Sequence, residues 1–243
     1  MYSLVNIVIP VYNEAQSITE VFREAGEKLH MPFRIFIVYD SEEDTTLPVV
    51  GEWQKRHPAQ NIHLLKNLFG QGALNAIRTG FDAVEEGAIL VMMADLSDDL
   101  SAADEMFAKI NEGCDIVCGS RYMKGGKQLG GPFLKKCLSR LAGVSLYYLI
   151  ALPTHDATNS FKMYTKKVLN DITIESRGGF ELGIELVVKA FVQGYKVAEV
   201  PSVWRDRVAG KSRFKLWRWL PHYLTWYWYG IKNGILRKNS CPK

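Results

Sequence analysis

The apolar run Ala88-Ile89-Leu90-Val91-Met92-Met93 stops at Asp95 and is followed closely by Asp98 and Asp99. Carboxylates at the end of a buried strand suit a hard divalent cation, Mg²⁺ or Mn²⁺, which takes oxygen ligands and bridges protein to a diphosphate. Such an ion acts as a Lewis acid for a departing diphosphate. Ser97-Asp98-Asp99 also has the composition of a helix cap. Asp99 is assigned to the cap, and Asp95 with Asp98 to the metal.

A second candidate is Gly70-Gln71-Gly72 ahead of a helix, where a ligand could approach the backbone closely. No Gly-Lys-Ser/Thr follows it, so it is not a phosphate-binding P-loop. The first strand leads into Pro10-Val11-Tyr12-Asn13-Glu14 rather than a glycine cluster, which argues against a nicotinamide enzyme. No Ser-His-Asp or Cys-His arrangement stands out among the five histidines, and only His155, beside Asp156, lies in a segment of functional character. A reaction whose nucleophile is already an anion needs no strong base.

Alternating elements must position these residues. Strands are expected at Val5 to Val11, Phe33 to Tyr39, Ile62 to Leu65, Ala88 to Met93 and Asp115 to Cys118. Between them, apolar residues recur at helical spacing, as in Ile18, Val21, Phe22, Ala25 and Leu29. This alternation predicts a doubly wound, mostly parallel sheet with helices on both faces, a C-terminal amphipathic helical extension, and a ligand site outside the carboxyl ends of the strands. Beyond Arg121 a glycine-rich loop, one or two amphipathic helices over Leu134 to Leu152, a helix from Gly183 to Gln193 and a strand at Lys196 to Val200 are expected.

The 243 residues, 47% hydrophobic and 23% charged, suit one domain with a C-terminal elaboration. The four cysteines show no metal-ligand spacing and read as reduced thiols of a cytosolic protein. Met1 leads straight into a strand, so no signal peptide is expected, and the longest apolar run, Leu141 to Leu152, is too short to span a bilayer. The net charge of +4 hides an asymmetry, because Arg205 to Lys243 holds ten Lys/Arg and one acid, Asp206. Five of the six tryptophans lie in or directly before that stretch: Trp204, Trp217, Trp219, Trp226 and Trp228. A basic aromatic helix suits a membrane interface; a helix docked on the core and, least of all, nucleic-acid binding are the alternatives.

Several motifs, in this order, resemble inverting glycosyltransferases of the GT-A fold, in the dolichyl- or polyprenyl-phosphate mannosyltransferase branch of family 2. They are Val8 to Glu14, Asp40 with Asp44-Thr45-Thr46, Gly70-Gln71-Gly72-Ala73 and Ala94-Asp95-Leu96-Ser97-Asp98. Gly119-Ser120-Arg121-Tyr122, Asp156 to Lys162, Glu185, Glu199-Val200-Pro201 and Arg207 to Arg213 continue the match. The resemblance implies a GT-A domain over 1–203, with donor binding in about 1–122 and the acceptor side in about 123–203, and a tail over 204–243. It implies a nucleotide-sugar donor, GDP-mannose by expectation, Mg²⁺ or Mn²⁺, and a polyprenyl or dolichyl phosphate acceptor at the cytosolic membrane face.

By the same resemblance Pro10, Tyr12, Glu14, Asp40 and Gly72 hold the nucleoside, and Asp95 with Asp98 the metal. Arg121, Arg207 and Ser212 hold phosphates, a role Arg also suits physically. Nucleic acid is not an expected partner. The chain departs from the pattern at Met93, where an Asp is usual, at Tyr39-Asp40-Ser41-Glu42, and at Thr158-Asn159-Ser160-Phe161. Two other readings stay open: a soluble acceptor activated by Asp98, Asp99 or Asp156, and a degenerate nucleotide-sugar-binding protein. In the tail, Trp217, Leu220, Leu224 and Trp228 share a helix face, with a kink or a new helix start expected at Pro221.

Overall fold

The first half of the chain folds as its periodicities dictate. In the computed structural model, which describes residues 1–206 and 216–240, β1 (Val5–Val11), α1 (Ile18–Lys28), β2 (Phe33–Tyr39), α2 (Thr46–Arg56), β3 (Ile62–Lys66), α3 (Ala73–Ala83) and β4 (Ala88–Val91) alternate. There follow α4 (Ala103–Asn111), β5 (Ile116–Ser120), β6 (Lys127–Leu129), α5 (Phe133–Ile150), β7 (Lys162–Thr165), α6 (Lys166–Asp171), α7 (Leu182–Gln193), β8 (Val197–Pro201), β9 (Val203–Arg205) and α8 (Leu216–Ser240).

Seven strands form one sheet in the order β3-β2-β1-β4-β7-β5-β8. The pairs within β3-β2-β1-β4 and the β5–β8 pair are parallel. The sheet is mostly parallel as expected, with β7 running antiparallel to both β4 and β5. The period of two sorts each strand between two cores. Ile7, Ile9, Ile35, Ile37 and Leu90 join Ile18, Phe22, Val50 and Met106 on one face. Val8, Phe36, Val38, Ile89 and Val91 join Leu74, Ile77, Phe81, Leu186 and Trp226 on the other. Helix α3 lies so close to β1 that a Cβ at Gly80 would fall 2.3 Å from a methyl of Val8.

The second half departs from expectation. β6 forms inside the predicted loop and pairs in parallel with β9, so the start of the basic segment is a strand. Helix α5 is continuous over 18 residues. Helix α8 runs unbroken through Pro221 instead of restarting there. It packs on α5 and α7, where its glycines let it approach: a Cβ at Gly230 would fall 3.0 Å from Val188, and one at Gly234 2.9 Å from Ile150. Among the described residues no helix is long and apolar enough to cross a membrane.

Candidate active site

The carboxyl ends of β1, β2 and β3 are laced together by side-chain hydrogen bonds. Asn13 stands at a left-handed φ of 58°, a conformation Asn tolerates better than most residues. Its backbone N–H donates to both oxygens of buried Asp44 (3.1 Å each), and Asp44 also accepts from Thr46 N (2.8 Å). Thr46 Oγ1 accepts from Glu14 N (2.9 Å), and Asn13 Oδ1 from Thr45 N (3.1 Å). Pro10, the last residue but one of β1, is half-buried, while Tyr12 stands exposed on the rim.

Asp40 accepts from Asn67 Nδ2 (2.8 Å) with one oxygen and from Gly72 N (2.9 Å) with the other. It thereby ties the ends of β2 and β3 to the start of α3, where a negative charge is stabilised by the helix dipole. Gly72 sits at φ 107°, which L side chains rarely adopt, so only glycine makes this turn without strain.

At the end of β4 the chain turns through Leu96, at φ 58°, so the loop joining the two carboxylates carries local strain. Ser97 N donates to Asp95 Oδ1 at 3.2 Å. Asp98 is buried, and burial together with the charge of Asp95 pushes its carboxyl up to about 7, against the pull of Arg121 and Lys162. Asp99 caps the following turn through Ser101 N (3.0 Å) and faces Lys28 and Arg205, as its assignment to a cap requires. Met93 lines a small apolar cavity with Ile77, Phe81 and Tyr164.

No cluster of three or more metal-ligating His, Cys, Asp or Glu occurs among the described residues. The Asp95–Asp98 pair still fits Mg²⁺ or Mn²⁺, because such ions need only one or two carboxylates when a diphosphate and water supply the other oxygens. Burial first, and then the charge of Asp95, raise Asp98, and both disfavour a carboxylate there in a way that a nearby cation would offset.

Beyond β5, Arg121 is 8% exposed and meets Asp156, which is 0% exposed. Arg121 Nε donates to Asp156 Oδ2 (2.6 Å), Nη2 to Oδ1 (2.9 Å), and the backbone N–H to Oδ2 (3.1 Å). Burial works to raise the Asp156 carboxyl, but Arg121 holds it below the usual range. Asn159 Nδ2 donates to Gly119 O (2.9 Å), and Lys162, wholly buried, donates to Asn159 O. Burial lowers the Lys162 ammonium from its ordinary value. His155 is turned elsewhere: its Nδ1 lies 2.6 Å from Glu199 and its ring stacks on Tyr147 of α5 at 3.8 Å.

A cavity of about 310 Å³ opens beside this pair. Its lining includes Arg121, Thr158, Asn159 and Ser160 together with Leu138 and Leu141 of α5 and Leu220 and Leu224 of α8. A polar, cationic head and an apolar trough share one space.

The family model for glycosyl transferase family 2 matches residues 6–173, from the first strand to the end of β7 and α6. The chain belongs to glycosyl transferase family 2. This family 2 chain is 30% identical over 242 residues to a dolichol-phosphate mannosyltransferase of Pyrococcus furiosus, covering 96% of itself and 66% of that protein. It therefore spans about two thirds of that relative's length. It is 27% identical over 215 residues to a polyprenol monophosphomannose synthase of Mycolicibacterium smegmatis, covering 85% of itself and 79% of that protein. Its GT-A fold is shared with glucosyl-3-phosphoglycerate synthase of Mycobacterium tuberculosis, solved with Mn²⁺, UDP and glucosyl-3-phosphoglycerate. That likeness has a TM-score of 0.62 at 14% identity and covers 100% of this chain and 81% of the other.

In this family 2 chain the expected residues Pro10, Tyr12, Glu14, Asp40, Gly72, Asp95, Asp98 and Arg121 all lie at strand ends or in the loops leaving them. Asp98 feels the charges of both Asp95 and Arg121, so the β4 and β5 ends share one rim. Arg207 and Ser212 lie outside the described residues. Two features had no role assigned to them from the sequence. Lys162 is a third buried charge, hidden because it sits in an apolar strand; α5 walls the cavity, and its only signal was amphipathic spacing with Lys135, Lys136 and Arg140.

Proposed function

We propose that this protein transfers a hexose, mannose in first expectation, from a nucleotide-sugar donor such as GDP-mannose to a polyprenyl or dolichyl phosphate, with inversion. The observation that carries the reading is the cavity with a cationic polar head at Arg121 and an apolar trough between α5 and α8, the two chemistries of a lipid phosphate. An acceptor phosphate oxygen attacks the anomeric carbon, the bond to the donor diphosphate breaks, and the nucleoside diphosphate leaves. That nucleophile is already an anion, so no general base is required.

A neutral, soluble acceptor would need one. Asp99 is committed to a cap, and Asp156 is locked onto Arg121 with its proton affinity lowered. Only Asp98 of the three candidates remains.

In this reading the ends of β1 to β3, with Pro10, Tyr12, Glu14, Asp40 and Gly72, receive the nucleoside. Asp95 and Asp98 would hold Mg²⁺ or Mn²⁺, which supplies Lewis-acid compensation for the diphosphate charge. Arg121, Arg207 and Ser212 act on the phosphates, with Asp156 orienting Arg121. The C-terminal segment over 204–243 keeps the enzyme at the cytosolic membrane face as a peripheral protein and supplies Arg207 and Ser212 to the site of a GT-A domain spanning 1–203.

The test is a panel of radiolabelled nucleotide sugars offered with polyprenyl phosphate and Mn²⁺ or Mg²⁺. Label should move to the lipid from one donor, and Asp95→Asn should reduce transfer by about 100-fold or more with unchanged circular dichroism. Equal transfer to a water-soluble saccharide without lipid, or full activity of Asp95→Asn, would sink the assignment.

A further inference from the structure

Two cavities of very different size meet behind the rim. The larger, of about 310 Å³, holds Arg121 and Thr158 in its lining, on the acceptor side. The smaller, at about 20 Å³, has room for a single water-sized group. It lies against Ala73, next to Gly72, and against Met93, two residues before Asp95, and so belongs to the donor side. Only Ser160 and Phe180 among the described residues line both. Serine is small, so the bulk of the shared wall is the Phe180 ring.

Phe180 is held from two directions. It precedes α7, whose N-cap residue Glu181 is buried and accepts from Gly178 N (2.6 Å) and Gly179 N (2.8 Å). Gly179 stands at φ 147°, a conformation that L side chains rarely adopt. From α8, Tyr223 Oη donates to Phe180 O at 2.8 Å. Trp219 of α8 meets the Phe180 ring edge-to-face, with centroids 5.7 Å apart and planes at 85°. Backbone and ring are fixed together, so the wall is built into the fold.

We propose that Phe180 is a positioning residue that separates the donor space from the acceptor space and sets the ratio of sugar transfer to donor hydrolysis. The inference rests on the nucleotide-sugar part of the proposed function and not on the identity of the acceptor. The donor presents its sugar from the side of Gly72 and Asp95, and the acceptor phosphate arrives from the side of Arg121. The anomeric carbon has to lie where those spaces meet, which is at Phe180. Water is the competing nucleophile there. Its oxygen would bond to the anomeric carbon while the bond to the diphosphate breaks and the diphosphate keeps the electron pair. The products would be free sugar, nucleoside diphosphate and a proton released to solvent. A site that excludes water prevents this loss, and removing the ring would join the two cavities and admit it.

The test follows two products from one radiolabelled nucleotide sugar: sugar moved to polyprenyl phosphate, and free sugar released with donor alone. Phe180→Ala should raise release from donor alone by about 10-fold or more and lower transfer, with unchanged circular dichroism. Phe180→Leu keeps most of the bulk and should stay within about 3-fold of wild type in both. Phe180→Val carries the same expectation as Phe180→Ala if alanine costs the fold. A merely structural role would lower transfer and hydrolysis together. Release that is unchanged or lower in a folded variant, Phe180→Leu as leaky as Phe180→Ala, or no release from any donor by any of these proteins would overturn the proposal. Wild type that moves no sugar to polyprenyl phosphate would sink the lipid-phosphate reading and leave the donor-alone comparison standing, so the two ideas fail separately.

Discussion

Replacing Asp156 by Ala isolates the physics of the rim. Five donors converge on its carboxylate: Arg121 N, Nε and Nη2, Asn159 N at 3.2 Å and Thr158 Oγ1 at 3.3 Å. The side chains of Arg121 and Asp156 are 7% and 0% exposed, so water cannot replace the lost acceptor. Lys162 is also buried and counts Asp156 among its stabilising charges. The substitution would strand two cations, Arg121 and Lys162, in a desolvated space.

Breaking a buried pair from one side costs about 3–5 kcal/mol. At about 2–4 °C per kcal/mol for a chain of this size, the melting temperature should fall by roughly 6 to 20 °C. Urea unfolding followed by tryptophan fluorescence measures the same loss. The double variant Arg121→Met with Asp156→Leu removes both charges together, so its cost should be well below the sum of the singles. A loss under about 1 kcal/mol for Asp156→Ala, or additive single costs, would refute the claim that the pair is desolvated and mutually dependent.

Asp98 makes the pH dependence unusual. Its folded carboxyl titrates near 7 against an ordinary 3.8, so its contribution is full below about pH 4 and is lost as pH rises toward 7. Relative to Asp98→Asn, wild type should lose about 4 kcal/mol of stability across that window with a chelator present; a flat difference in urea midpoints would contradict the buried site. Asp40→Ala unties Asn67 and the Gly72 amide, and should weaken nucleoside diphosphate binding about 10-fold by calorimetry, with faster proteolysis at Gly70 to Gly72. Unchanged affinity would remove Asp40 from the site.

Local pattern was enough to place most of the rim. A strand buried on both faces ends where its apolar run meets polar residues, so β1, β2 and β4 and the polar residues after them could be located before any contact was known. The same logic assigned Asp99 to a cap and flagged Asp95 and Asp98 together, because all three depend on neighbours only a few residues away. Pattern also exposed the charge asymmetry of the tail, since composition needs no coordinates.

What tertiary structure alone decided involves partners distant in sequence. Arg121 and Asp156 are 35 residues apart, and nothing in either local pattern says that they close on each other. Lys162 belongs to an apolar strand whose antiparallel entry between β4 and β5 buries it under the site, an outcome of sheet order rather than of periodicity. Helix α5 read simply as amphipathic; only its packing against α8 leaves a cavity between them. Periodicity fixes which way a side chain points relative to its own element, whereas long-range packing chooses what it meets there.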